Sequence, residues 1–238
     1  MKIIISGYGK MGREIEKIAL QRNHEILCTI DNESDWEKHI NLVKQADIAI
    51  DFSTPNSIIN NIIKFFGAKV PVVTGTTGWN DKFDEIKKLC LEQEQALFYA
   101  SNFSIGMNIL FAINKKLAFM MNSFPQYDVK IEETHHTQKL DSPSGTAISL
   151  ANDIINNIDR KEKWVNETTD INSLLEIKSI RSGNITGIHN VIYNSNVDTI
   201  EIKHTALNRT GFALGAVMAA EWLYGKKGFL GMNDLLNF

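Results

Sequence analysis

Lys2-Ile3-Ile4-Ile5-Ser6-Gly7-Tyr8-Gly9-Lys10-Met11-Gly12 is a short β-branched run that empties into a G-x-G-x-x-G loop. Lys2 to Ser6 has the composition of a buried first strand. After Gly12 the apolar residues Ile15, Ile18 and Ala19 recur at helical spacing, and His24 to Ile30 reads as a second strand ending at Asp31. Asp31 follows Gly12 by about twenty positions, as a dinucleotide-binding unit requires. Such a unit needs a tight turn, close approach of backbone to a pyrophosphate, close helix–sheet packing and a carboxylate for the ribose hydroxyls. The Asp31-Asn32 pair repels a 2′-phosphate and no arginine follows it, so NADH is the expected cofactor. Lys10 brings a cation nearby and leaves NADPH as an alternative.

Strand and helix patterns go on alternating. Trp36 to Gln45 is expected to be helical, and Asp47 to Phe52 is an apolar strand. Ser53-Thr54-Pro55 starts a helix carrying Ile58, Ile59, Ile62, Ile63 and Phe66. Val70 to Val73 is a strand ending in Gly75-Thr76-Thr77-Gly78, and Asp81 to Gln93 is a charged amphipathic helix. Leu97 to Ala100 is a strand ending in Ser101-Asn102-Phe103-Ser104. This alternation implies a parallel sheet covered on both faces, with ligands at the C-terminal strand ends. From Gly106 the pattern changes. An apolar helix to Met121 is followed by a strand over Val129 to Glu133, and by three more strand-like runs, Glu176 to Arg181, Gly187 to Asn194 and Thr199 to Thr205. With no helix between those three, the second part should hold an open, antiparallel or mixed sheet. Asp159 to Asn172 reads as loop, and Phe212 to Tyr224 as an apolar helix returning to the first domain. The expected fold is α/β, with a Rossmann-like dinucleotide-binding domain (1–105 and 213–238) and an α+β domain on an open mixed sheet (106–212).

Glu133-Thr134-His135-His136-Thr137-Gln138-Lys139-Leu140-Asp141-Ser142-Pro143-Ser144-Gly145-Thr146-Ala147 carries the chemistry. Ser142 is the expected helix N-cap with Pro143 at the first helical position. The amides of Ser144, Gly145 and Thr146 would then lack helical partners and face an anion. His135, His136 and Lys139 add titratable or cationic groups beside it. Adjacent histidines without a nearby Cys, and without His-Glu-x-x-His spacing, fit zinc poorly, so no metal is expected. Arg181, His189, His204 and Arg209 read as surface or packing residues, with the two arginines available to add charge near the anion site.

Composition agrees with an ordinary globular protein. Across 238 residues, 43% are hydrophobic and 22% charged, and the net charge of −3 indicates no nucleic-acid-binding surface. No apolar run is long enough to span a membrane, and Gly7 arrives too early for a signal peptide. Cys28 and Cys90 read as reduced packing residues of a cytoplasmic protein.

The Glu133–Ala147 motif resembles the signature of the 4-hydroxy-tetrahydrodipicolinate reductase (dihydrodipicolinate reductase) family of diaminopimelate and lysine biosynthesis. Gly75-Thr76-Thr77-Gly78, Ala100-Ser101-Asn102-Phe103-Ser104, and Arg181-x-Gly183 followed by Gly187-x-His189 support it, in the family's order over nearly the whole chain. The resemblance implies that Gly7, Tyr8, Gly9, Lys10, Met11, Gly12, Asp31, Gly75, Thr76, Thr77, Ala100, Ser101, Asn102 and Phe103 hold the nicotinamide cofactor. It implies His135 as the group that gives or takes a proton and Lys139 as proton donor. Thr77, His136, Lys139, Ser144, Gly145 and Thr146 would bind a small dicarboxylate substrate, and the assembly would be a homotetramer. The glycine loop is one residue shorter than G-x-x-G-R-M-G, and Ser142 replaces the commoner Ala. Two other readings remain: another two-domain NAD-dependent dehydrogenase, and a non-catalytic nucleotide-sensing module.

Overall fold

The computed structural model describes residues 1–237. The chain divides into two compact units, one made of Met1–Ile105 and the chain from Thr210 onward, the other of Gly106–Arg209.

The first unit is built on six strands: β1 (Lys2–Ser6), β2 (Glu25–Ile30), β3 (Ile48–Asp51), β4 (Val72–Thr74), β5 (Ala96–Tyr99) and β11 (Gly228–Leu230). They lie in the order β11-β5-β4-β3-β1-β2, and every neighbouring pair is parallel. Successive strand residues point to opposite faces, and here both faces are covered. Ile3 and Ile5 of β1 enter one core, with α1 (Lys10–Gln21) and α7 (Thr210–Leu223). Ile4 enters the other, with Trp36 of α2 (Glu33–Val43), Ile58, Ile62 and Phe65 of α3 (Ile58–Gly67), and Ile86 and Cys90 of α4 (Phe83–Glu92). This two-sided burial is why the strands read as continuous apolar runs rather than alternating ones. Cys28 and Cys90 are free and buried, and burial pushes both thiols up to about 11.

The second unit holds a five-stranded sheet in the order β10-β9-β6-β8-β7. Its strands are β6 (Asp128–His135), β7 (Lys163–Val165), β8 (Leu174–Arg181), β9 (Gly187–Asn194) and β10 (Thr199–Ala206). β9 runs antiparallel to β6 and β10, while β6, β8 and β7 are mutually parallel, so the sheet is mixed. Val129 and Ile131 of β6, Leu175 and Ile177 of β8, and Val191 and Tyr193 of β9 send their side chains to one face. There they meet α5 (Ile105–Met121) and α6 (Gly145–Ile155).

Four expectations need correction. The stretch 159–172 is not all loop, because Lys163–Val165 pairs with β8. β11 and α8 (Met232–Leu236) follow the last expected helix. The return to the first unit begins at Thr210 and not at residue 213. The N-cap of α6 is Ser144: its backbone is extended, its Oγ accepts from the Ala147 N–H at 3.2 Å, and Gly145 is the first helical residue. Ser142 and Pro143, joined by a cis peptide, precede the cap.

Two glycines show different demands. A Cβ at Gly215 on α7 would lie 1.8 Å from the Phe103 carbonyl oxygen, so the helix packs there only without a side chain. A Cβ at Gly9 would meet nothing within 4 Å. Gly215→Ala should therefore cost about 2–4 kcal/mol and lower Tm by roughly 5–10 °C, as overpacking in a chain of this size does. Gly9→Ala should stay within about 2 °C of wild type. Calorimetry on the two variants checks this, and equal Tm values would contradict the packing account.

Candidate active site

The glycine loop of the first unit is shaped by backbone crowding. Gly7 adopts φ +83°, and a Cβ there would lie 2.4 Å from the Phe52 carbonyl group. A Cβ at Gly12 would lie 2.3 Å from the Gly7 oxygen, so helix α1 can approach the turn only with Gly at that position. Gly9, between them, faces open space and caps α1 without any side-chain acceptor. The first amides of α1 thus point outward, an arrangement suited to phosphate. The Asp31 carboxylate, at the end of β2, accepts from the Tyr8 N–H and so ties the loop to its own strand. The Tyr8 hydroxyl donates to Glu16, and the Arg13 guanidinium lies 4.7 Å from the Tyr8 ring centre. Lys10 is exposed at the helix start and Met11 packs against the core.

Beneath the loop lies a carboxylate that carries no motif in the sequence. Asp51 is fully buried at the end of β3. It accepts from the Ser53 N–H and Oγ, the Thr76 Oγ1 and the Asn61 Nδ2, at 2.7–3.2 Å. Thr76 is consequently turned inward: its hydroxyl, its N–H (to Thr74 Oγ1) and its carbonyl (from Trp79 Nε1) all have partners. Gly75 sits where a Cβ would strike the Phe52 ring at 2.3 Å, whereas Thr77 is exposed. Ala100 and Phe103 are core residues, Ser101 is exposed, and Asn102 Oδ1 accepts from the Ser104 N–H. Among these expected cofactor residues, Gly12, Gly75, Thr76, Ala100 and Phe103 shape the site from behind. A cavity of about 190 Å³ opens beside Asp31, lined also by Asn32, Trp36, Ser53 and Asn61.

In the second unit the sequence motif folds around Glu133, whose side chain is 0% exposed. Oε1 accepts from the Ser144 N–H and from Arg181 Nη2, each at 3.1 Å. Oε2 lies 2.8 Å from His135 Nδ1 and 4.0 Å from His189 Nε2. Burial pushes the Glu133 carboxyl up, but the bonds from His135 and Ser144 outweigh it and hold the group well below the ordinary carboxylate range. His135 is the last residue of β6, not part of a turn, and it too is buried. A Cβ at Gly187 would lie 3.1 Å from His135 Nε2, so the missing side chain keeps that edge of the ring uncrowded. His189 stands 5.1 Å from His135, ring to ring, with Nε2 3.2 Å from Ser144 Oγ. Burial, then the nearby His135, push His189 down to about 4, so it is neutral at pH 7.

Glu133, His135 and His189 bring three ligand atoms within 4.8 Å of one another. Ser144 and Arg181 donate to Oε1, whereas Oε2 meets His135 Nδ1 at 2.8 Å without a well-directed hydrogen bond.

The Ser144 amide, expected to face a ligand, is spent on Glu133, which leaves Gly145 and Thr146 as the outward amides of α6. A Cβ at Gly145 would meet nothing within 4 Å. Lys139 Nζ bonds both oxygens of Asp141 at 2.8 and 2.9 Å, and this bond holds the Asp141 carboxyl below its ordinary value. Arg181 also donates to the Asp141 carbonyl at 2.6 Å, so it buttresses the loop as well as Glu133. His136 is half-buried with a shielded Nδ1. Glu133 and His189 belong to the quoted motifs, but their pairing across the sheet comes from the register that sets them opposite each other on β6 and β9.

A sequence model described as "Dihydrodipicolinate reductase, N-terminus" matches residues 1–103, and one described as "Dihydrodipicolinate reductase, C-terminus" matches residues 106–236. A 4-hydroxy-tetrahydrodipicolinate reductase of Christiangramia forsetii is 46% identical over 237 residues, covering 100% of this chain and 98% of that protein. The enzyme of the same name from Staphylococcus saprophyticus is 34% identical, covering 99% and 100%. A solved dipicolinate-bound dihydrodipicolinate reductase from Paenisporosarcina sp. TG-14 shares the fold at a TM-score of 0.79 and 21% identity, covering 98% of each chain.

The depressed His189 carries a pH signature. The unfolded chain titrates this histidine near its ordinary 6.5 and the folded chain near 4, so between those values the unfolded state binds more protons. The contribution is complete above pH 6.5 and is lost as pH falls towards 4. Urea unfolding at pH 7 and pH 5 should show wild type losing more stability than His189→Gln over that interval. Equal losses would contradict the placement of a neutral imidazole there.

Proposed function

The chain belongs to the dihydrodipicolinate reductase family, and from that premise we propose how its residues divide the work. It is an NAD(P)H-dependent oxidoreductase that reduces 4-hydroxy-tetrahydrodipicolinate to tetrahydrodipicolinate in diaminopimelate and lysine biosynthesis. One water leaves the hydroxylated ring, and one hydride and one proton are added. When bound, the nicotinamide supplies the hydride to C4 of the unsaturated ring.

The first unit holds the cofactor. The outward amides after Gly9 take the pyrophosphate, while Gly7 and Gly12 fix the loop so that backbone can approach it. Asp31 has one oxygen on the Tyr8 amide and presents its other to the ribose side. A carboxylate there favours two ribose hydroxyls over a phosphate, which supports NADH as the preferred cofactor, with Lys10 available as a compensating cation.

The second unit holds the substrate. A carboxylate of the ring sits on the Gly145 and Thr146 amides, as the open space at Gly145 supports. The dipicolinate bound to the solved Paenisporosarcina relative is a planar dicarboxylate of this kind. Lys139 leaves Asp141 for a substrate carboxylate and carries a proton to the reduced ring, with His136 alongside. His135, clamped through Nδ1, offers Nε2 as the group that gives or takes the proton. The single observation carrying this reading is that His135, the Arg181 guanidinium and the open helix start converge around one buried carboxylate. A homotetramer in the cytoplasm completes the proposal, resting on the family resemblance and on two buried, unpaired cysteines.

Steady-state oxidation of NADH and NADPH with freshly generated substrate tests both halves. Wild type should turn over, with kcat/KM higher for NADH. Lys139→Ala should lose at least about 10²-fold in kcat/KM through lost proton delivery and lost charge. Near wild-type activity in that variant would overturn the role of Lys139, and a large NADPH advantage would overturn the cofactor preference.

A further inference from the structure

Glu133 faces donors that cannot change character. Its Oε1 meets the Ser144 backbone N–H and the Arg181 guanidinium, and neither group can accept a hydrogen bond. Its Oε2 lies 2.8 Å from Nδ1 of His135, nearer than His189 Nε2 at 4.0 Å, and this ring nitrogen can be either donor or acceptor. A carboxylate presents lone pairs only, so a bare Nδ1 lone pair 2.8 Å from Oε2 would be repelled, and a neutral His135 ring is favoured with its proton on Nδ1. That leaves a lone pair on Nε2, the edge kept uncrowded by Gly187.

We propose that Glu133 is a positioning residue that selects the Nδ1–H tautomer of His135 while anchoring the start of α6, so that one buried carboxylate sets both the proton-transfer edge and the anion-binding amides. The inference rests on the role given above to His135, but its central readout does not depend on the reaction.

Glu133→Gln separates the two tasks. The glutamine keeps the size of the side chain but has one accepting end and one donating end. Its carbonyl oxygen must face Ser144 and Arg181, because an amide NH₂ there would oppose two donors. The NH₂ then points at His135 Nδ1 and forces that nitrogen to accept, which moves the ring proton to Nε2. The helix start keeps its acceptor, so substrate binding survives and proton transfer does not.

The test is nitrogen-15 NMR of the imidazoles at alkaline pH, with His135→Asn to assign the signals, alongside kinetics. Wild type should show His135 protonated on Nδ1, and Glu133→Gln should show it protonated on Nε2. The variant's kcat should fall by about 10²-fold or more, with KM for the substrate within about threefold. An Nε2–H tautomer in wild type, or an unchanged tautomer in the variant, overturns the proposal. If Glu133→Gln does not fold, the wild-type tautomer decides by itself. If the tautomer switches as expected but wild type fails to reduce the substrate, the functional reading falls while the positioning role stands.

Discussion

A buried carboxylate must be met by donors, and Glu133 is approached from three directions, with two donors on Oε1 and His135 Nδ1 beside Oε2. The Ser144 amide reaches it from the start of α6, Arg181 from the end of β8, and His135 from two residues along its own strand. Each partner would be positioned differently without it. The Ser144 contact turns the first residues of the helix so that Gly145 and Thr146 are the amides left facing outward. The Arg181 contact draws in the loop that carries Lys139, through a second bond to the Asp141 carbonyl. Removing the acceptor while leaving its donors buried would cost more than the bonds themselves contribute.

The first unit solves a similar problem with a different hub. Asp51 is satisfied by neutral donors, the hydroxyls and amides of Ser53, Asn61 and Thr76. These residues come from the loop after β3, from α3 and from the loop after β4, so the network locks together the C-terminal ends of two neighbouring strands. The glycine loop is held separately, by the Asp31–Tyr8 bond and by two positions where any side chain would collide. The residues expected to hold the cofactor thus fall into those that face outward and those that hold the outward ones in place.

Much of this was legible in the residues, for local reasons. Strand, glycine loop, helix, strand and acid follow one another within about thirty residues, each constrained by its immediate neighbours. Three strand-like runs with no helix between them pointed to an antiparallel or mixed second sheet, and the parallel β6–β8–β7 pairing makes it mixed. What stayed hidden depended on partners distant in sequence. Ser142 looks like the cap because Pro143 suits a first helical position, yet Ser144 caps α6 once its own amide is held by Glu133, eleven residues back. Lys163–Val165 is a three-residue edge strand in polar sequence and becomes visible only through its pairing with β8. Glu133 and His189 stand in the family's motifs, but their meeting is set by the β6–β9 register, which those motifs do not show. Thr76 and Phe103 match the family pattern, but their side chains face inward, which spacing cannot reveal.

In the proposed function, the amides opening α6, held in place by the buried carboxylate, grip a small dicarboxylate. The direct measurement is an amide NMR titration of the full chain with a stable planar dicarboxylate. The account predicts that the Gly145 and Thr146 N–H signals move most and saturate together, with the Lys139 side chain responding in step. Saturable binding that leaves both amides unmoved would contradict it.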